Sequence, residues 1–147
     1  MLRRRSLVPA ALGLLASPAI AQVPAAPRQA PPHEWMFGTW TGGIFPAVET
    51  EGSGCFGNAS LIVLRDVIMR VSSLDIAFRQ RAIETVAPTA DGLEFRLVPV
   101  PGRSLAEFGF GCDGNPDLLR VVRRCPDEIA LPGCTEFPSN LRRCRTS

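Results

Sequence analysis

The chain has 147 residues, 46% hydrophobic and 20% charged, with 16 basic residues against 14 acids and a formal charge of +2. Every base is Arg, so a P-loop lysine is absent, and the near-neutral balance lacks the broad basic field a nucleic-acid binder needs. The single histidine, His33, leaves hydrolytic relays and Cys/His zinc sites without their usual partner.

At the amino end, Arg3, Arg4 and Arg5 precede the apolar run Leu7 to Ala16, which closes on Ala19-Ile20-Ala21. That is the pattern of a secretory signal (residues 1–21) cut after Ala21. An uncut membrane anchor is the competing reading, but Pro9 and Pro18 interrupt the stretch and a spanning helix needs about 20 apolar residues. Arg4-Arg5-Ser6-Leu7-Val8 also loosely fits a twin-arginine export signal. Cleavage removes three of the 16 arginines, leaving 13 against 14 acids and a formal charge near −1. The expected location is periplasmic or secreted, with no membrane span after cleavage.

Gln22 to His33 carries Pro24, Pro27, Pro31 and Pro32 among small residues, which predicts an extended tether. The body, residues 34–147, is long enough for one β-rich domain with a modest core. Met36 to Phe45 is its first strand candidate. Leu61-Ile62-Val63-Leu64 and Val67-Ile68-Met69 flank Arg65-Asp66, which predicts two strands around a tight turn, with one helix as the competing reading.

Ala77 to Val86 reads as a strand, and Leu93, Phe95 and Leu97 alternate with Glu94 and Arg96 in a second. Pro88 to Gly92 supplies the turn between them. A register with Glu84 opposite Arg96 sets Ile83 against Leu97 and Thr85 against Phe95. Arg79 and Arg81 then share the inward face with Ile83, near one barrel mouth, where they favour an acidic group on a ligand. The bland reading leaves both arginines in solvent.

Ser104 to Glu107 has capping-box spacing for a helical turn, and Leu118 to Arg124 and Glu128 to Leu131 are the last strand candidates. Roughly six to eight short strands with Gly- and Pro-rich turns predict an all-β fold. It is a small antiparallel β-barrel or sandwich, stapled by disulfides. A closed barrel fits the length best.

In an oxidising compartment the five cysteines are disulfide partners first, with one left over. Cys134 with Cys144 is the first expected pair, since Pro132-Gly133 and Pro138 bend the segment between them. Cys55 with Cys112 is the second. Cys125 is then a free thiol, which is buried and inert, bridges two chains in a dimer, or is reactive.

The remaining motifs favour ordinary structure. Asp113-Gly114-Asn115-Pro116-Asp117 begins like a calcium loop, but Leu118 stands where such a loop needs Gly and Arg124 where it needs Glu, so a turn is expected. Asn58-Ala59-Ser60 is a formal glycosylation triplet. Asp66, Asp75, Glu84 and Glu107 are isolated carboxylates that no spacing pairs across a cleft. No cofactor is expected. Arg120, Arg123, Arg124, Arg142, Arg143 and Arg145 crowd the carboxyl third, as a solvated face or a contact for an anionic envelope component.

Gly38-Thr39-Trp40 resembles the G-x-W of the lipocalins. The resemblance implies a barrel whose first strand carries Gly38 and Trp40, with the indole plugging the closed end beside an Arg from the last strand. Arg123 is the candidate for that packing Arg. The family's T-D-Y motif is absent, because the chain has no Tyr.

Two functions are therefore expected in competition. The first is an exported, non-catalytic barrel that binds a small apolar or amphipathic molecule through Arg79, Arg81, Ile83 and Phe95. The second is an envelope interaction module, or an inhibitor of a periplasmic enzyme, acting through disulfide-held loops.

Overall fold

The computed structural model describes residues 29–43, 45–56, 59–72, 79–102, 109–110 and 112–145. The signal-like segment, most of the tether, Asn58, Asp75 and the capping box at Ser104 to Glu107 lie outside them. Eight strands form one closed antiparallel barrel in chain order. They are β1 (Gly38–Gly43), β2 (Ala59–Val63), β3 (Val67–Val71), β4 (Arg79–Pro88), β5 (Gly92–Leu97), β6 (Leu118–Cys125), β7 (Glu128–Ala130) and β8 (Ser139–Arg143). Pairing of β8 with β1 removes the last free edge.

The strands form where side chains alternate between a dry and a wet face. In β5, Leu93, Phe95 and Leu97 are buried while Glu94 and Arg96 are exposed. Residues 61–71 are two paired strands, so the helix reading is set aside: Leu61 pairs with Arg70 and Val63 with Ile68. The turn at Arg65-Asp66 closes with Leu64 N–H donating to Val67 O at 2.9 Å.

The β4–β5 hairpin departs from the expected register. Ile83 does face Leu97, but a bulge at Glu84 sets Thr85, not Glu84, opposite Arg96 and brings Val86 to Phe95. One extra residue flips the remainder of the strand. Thr85 is consequently exposed and Val86 turns inward. Close approach fixes Gly92 at the head of β5, where a Cβ would lie 2.0 Å from Val121 O.

Alternating connections give the barrel two unlike ends. Three short turns, at residues 64–66, 89–91 and 126–127, mark one end, and the longer connections mark the other. The β1–β2 connection runs back along the outside, where Arg145 N–H donates to Thr50 O at 2.8 Å and Glu51 bridges Arg145. Cys55 O of this connection accepts the Ser60 hydroxyl at 3.3 Å, and Ser60 and its cross-strand neighbour Thr41 are buried.

The cysteine pairing corrects the sequence expectation: Cys55 bonds Cys144 and Cys112 bonds Cys134. Cys134 and Cys144 lie beyond opposite ends of β8, and an extended strand at about 3.3 Å per residue keeps them apart. Cys55 to Cys144 staples the covering segment to the end of β8, and Cys112 to Cys134 ties two long loops together. These bonds suit an oxidising compartment. Among the described residues, no helix is long and apolar enough to cross a membrane.

Candidate functional site

The short-turn end is sealed by the segment entering β1. A 3-10 turn, Glu34–Met36, buries Met36 beneath the barrel, and the Trp40 indole N–H donates to Met36 O at 2.8 Å. Arg143 stacks on Trp40 at 4.2 Å, and Trp35 meets Trp40 edge-on at 6.4 Å. Arg123 covers the outer tryptophan, Trp35, at 4.4 Å. Three strands, β1, β6 and β8, and the entering segment thus supply a continuous Arg-Trp-Trp-Arg stack.

This arrangement corrects the expected role of Arg123. The last strand is β8, so the arginine on Trp40 is Arg143, while Arg123 of β6 packs on Trp35. Gly38 stands beside them with φ +119°. His33, assigned to the tether, folds back and is buried. Its Nε2 lies 2.9 Å from Arg65 O, with its ring edge-on to Phe37 and Phe95. Neither ring nitrogen meets a hydroxyl or thiol among the described residues, so no nucleophile relay is assembled there.

The long-loop end holds the inward arginines. Arg79, Arg81 and Ile83 do lie on one inward face, yet the guanidinium groups are occupied. Arg81 donates to Asp117 at 2.5 Å and to the carbonyls of Pro116 and Val98 at 3.0 Å each. Arg79 pairs with Glu136 at 2.7 Å, and Arg70 reaches the other oxygen of that carboxylate at 2.6 Å. Loop carboxylates fill the places that an acidic ligand group was expected to take. The Asp113 to Asp117 segment is a turn, with Asp117 N–H donating to Asn115 Oδ1 at 2.8 Å. Among the described residues, no His/Cys/Asp/Glu group is arranged to hold a metal ion.

Among the described residues, the middle of the barrel is lined by closely packed apolar side chains. Trp40, Leu61, Val63, Ile68, Phe95, Leu97, Val121, Ile129 and Leu141 are each 0% exposed. A ligand-sized chamber would leave part of this lining accessible. Phe95 is therefore a core residue and Arg81 a buried clamp.

Concave surface occurs instead on the outside. A groove of about 460 Å³ runs beside Trp35 between the β4–β5 and β6–β7 turns, bordered by Asp91, Arg123, Arg124, Cys125 and Pro126. A second, of about 380 Å³, lies along Leu131, Pro132, Phe137, Pro138 and Asn140, and Arg124 borders both.

No family model, curated protein or solved structure matches this chain.

Around the first groove, Arg120 holds the Asp91 carboxylate at 3.1 Å. That hydrogen bond, helped by the Thr89 hydroxyl and opposed by partial desolvation, keeps Asp91 below the ordinary carboxylate range. Cys125 is exposed and unbonded on the groove wall. Sequence reading placed Arg123 and Cys125 in the right region without joining them to Trp35. Glu136 and Asp117 went unnoticed as arginine partners, since they lie 57 and 36 residues from Arg79 and Arg81.

Proposed function

We propose that this chain is an exported, non-catalytic interaction module that recognises an envelope protein through its outer surface. The observation that supports the reading is the packing of the described interior, where Trp40, Phe95 and their described neighbours are fully buried. A barrel closed on itself is a rigid platform, and Cys112 to Cys134 and Arg79 to Glu136 tie the described parts of its β5–β6 and β7–β8 connections in place. Such fixed loops lose little conformational freedom on association. Export is supported by the signal-like amino end together with the two disulfides.

The same reading accounts for the inward arginines. Their partners come from loops, so the charges serve to position those loops rather than to receive a ligand. The likeness to lipocalins, resting on Gly38, Trp40 and now Arg143, then concerns how the end is packed rather than what is carried.

Size-exclusion chromatography of the purified chain with solubilised envelope proteins tests the proposal, alongside a fluorescence titration with fatty acids, phospholipids and isoprenoids. A stoichiometric protein complex and no saturable lipid response are expected. Saturable lipid binding without any protein complex would overturn the proposal.

A further inference from the structure

We propose that the groove beside Trp35 is a docking track for an extended, acidic segment of the partner, whose carboxylates are received by Arg123 and Arg124. The inference rests on the interaction reading above and names the chemistry of the segment recognised. Charge complementarity carries it.

Five described arginines are matched within the chain, Arg70 and Arg79 by Glu136, Arg81 by Asp117, Arg120 by Asp91 and Arg143 by Asp127, while exposed Arg65, Arg96, Arg142 and Arg145 line neither groove. Arg123 and Arg124 are exposed, and among the described residues neither has a carboxylate within ion-pair distance. Asp91, the acid on the groove wall, is already neutralised by Arg120. The groove therefore keeps two uncompensated positive charges.

Stacking on Trp35 uses the face of the Arg123 guanidinium and leaves its N–H edge for an anion. That geometry suits a carboxylate, which accepts two parallel N–H bonds. At Arg124 the second groove begins, and its exposed Pro132 and Pro138 offer apolar contact to residues flanking the acidic ones. An extended chain can follow both concavities. A flat bilayer surface cannot enter them, which favours a protein segment over a membrane.

Cys125 gives a direct readout, because its free thiol stands on the groove wall. The test is the rate of Cys125 alkylation by iodoacetamide, a neutral reagent, with hexaglutamate, hexalysine or phosphatidylglycerol vesicles present. Hexaglutamate is expected to slow alkylation roughly tenfold when free peptide stands at about ten times its dissociation constant. Added salt should weaken that protection. Arg124→Glu should abolish it, and Arg96→Glu, an equal charge change on the exposed face of β5, should retain it.

Equal protection by hexalysine, protection by vesicles alone, or no protection by hexaglutamate would each overturn the track. Failure of this inference is separable from failure of the interaction reading. A stoichiometric envelope complex in which Cys125 alkylates at the free-chain rate would remove the track and leave the interaction module standing.

Discussion

Arg143 stacks on Trp40 with its guanidinium carbon 4.2 Å from the ring centroid, and the same side chain donates to Phe37 O at 2.9 Å and to Trp35 O. The last strand thereby locks the segment that enters the first. Arg143→Ala should cost about 3 kcal/mol, from the lost cation–π contact and the two carbonyls left without a charged donor. Arg143→Lys should restore only part of it, because an ammonium lacks the planar fork. Arg123→Ala, at an exposed stack, should cost about 0.5–1 kcal/mol. Urea unfolding followed by indole fluorescence measures all three.

Arg81 makes the sharpest buried test. Its side chain is fully enclosed and its charge is balanced by Asp117, so removing one partner strands the other. Arg81→Ala should destabilise by about 3–5 kcal/mol. A double-mutant cycle with Asp117→Asn should return a coupling of roughly 1–3 kcal/mol; additive losses would mean that the pair does not act as a unit.

The two disulfides close loops of different length, with sequence separations of 89 and 22. In the chain-entropy picture, Cys55→Ser should cost about 4.5 kcal/mol and Cys112→Ser roughly 3 kcal/mol. Peptide mapping without reduction should recover Cys55 linked to Cys144. A Cys134 to Cys144 fragment would contradict the strand order at β8.

Asp91 supplies a pH prediction. Its carboxyl is lowered from 3.8 in the folded chain, first by the Arg120 hydrogen bond, so its contribution is present above that unfolded value. The contribution is lost as pH falls through the lower folded value. Arg120→Ala should move the Asp91 titration upward, as read from its side-chain carboxyl carbon by NMR.

What the sequence made legible is the part governed by local alternation. Leu93, Phe95 and Leu97 announce β5, and the turn at Arg65-Asp66 separates β2 from β3 as expected. β8 was invisible because Ser139-Asn140-Leu141-Arg142-Arg143 carries one apolar side chain, Leu141, and its pairing comes from β1 and β7 rather than from its own pattern. Missing β8 also misassigned the packing arginine and the cysteine pairs, since both depend on which strand is last.

Other departures have distinct causes. The bulge at Glu84 is a tertiary adjustment with no signature in the local composition. Pro31 and Pro32 suggested a tether as far as His33, yet Glu34 N–H closes a turn onto Pro31 O at 3.0 Å and His33 enters an aromatic cluster. Inward arginines were legible from parity. Their loop carboxylates were not, because nothing local records a contact across the barrel mouth.

The account turns on a filled barrel that recognises partners from outside, and methyl-resolved NMR of the purified chain during titration with oleate tests this most directly. The methyl signals of Leu61, Leu97 and Leu141 should stay in place at every concentration. Saturable shifts of those three sets, with a matching change in Trp40 emission, would contradict it.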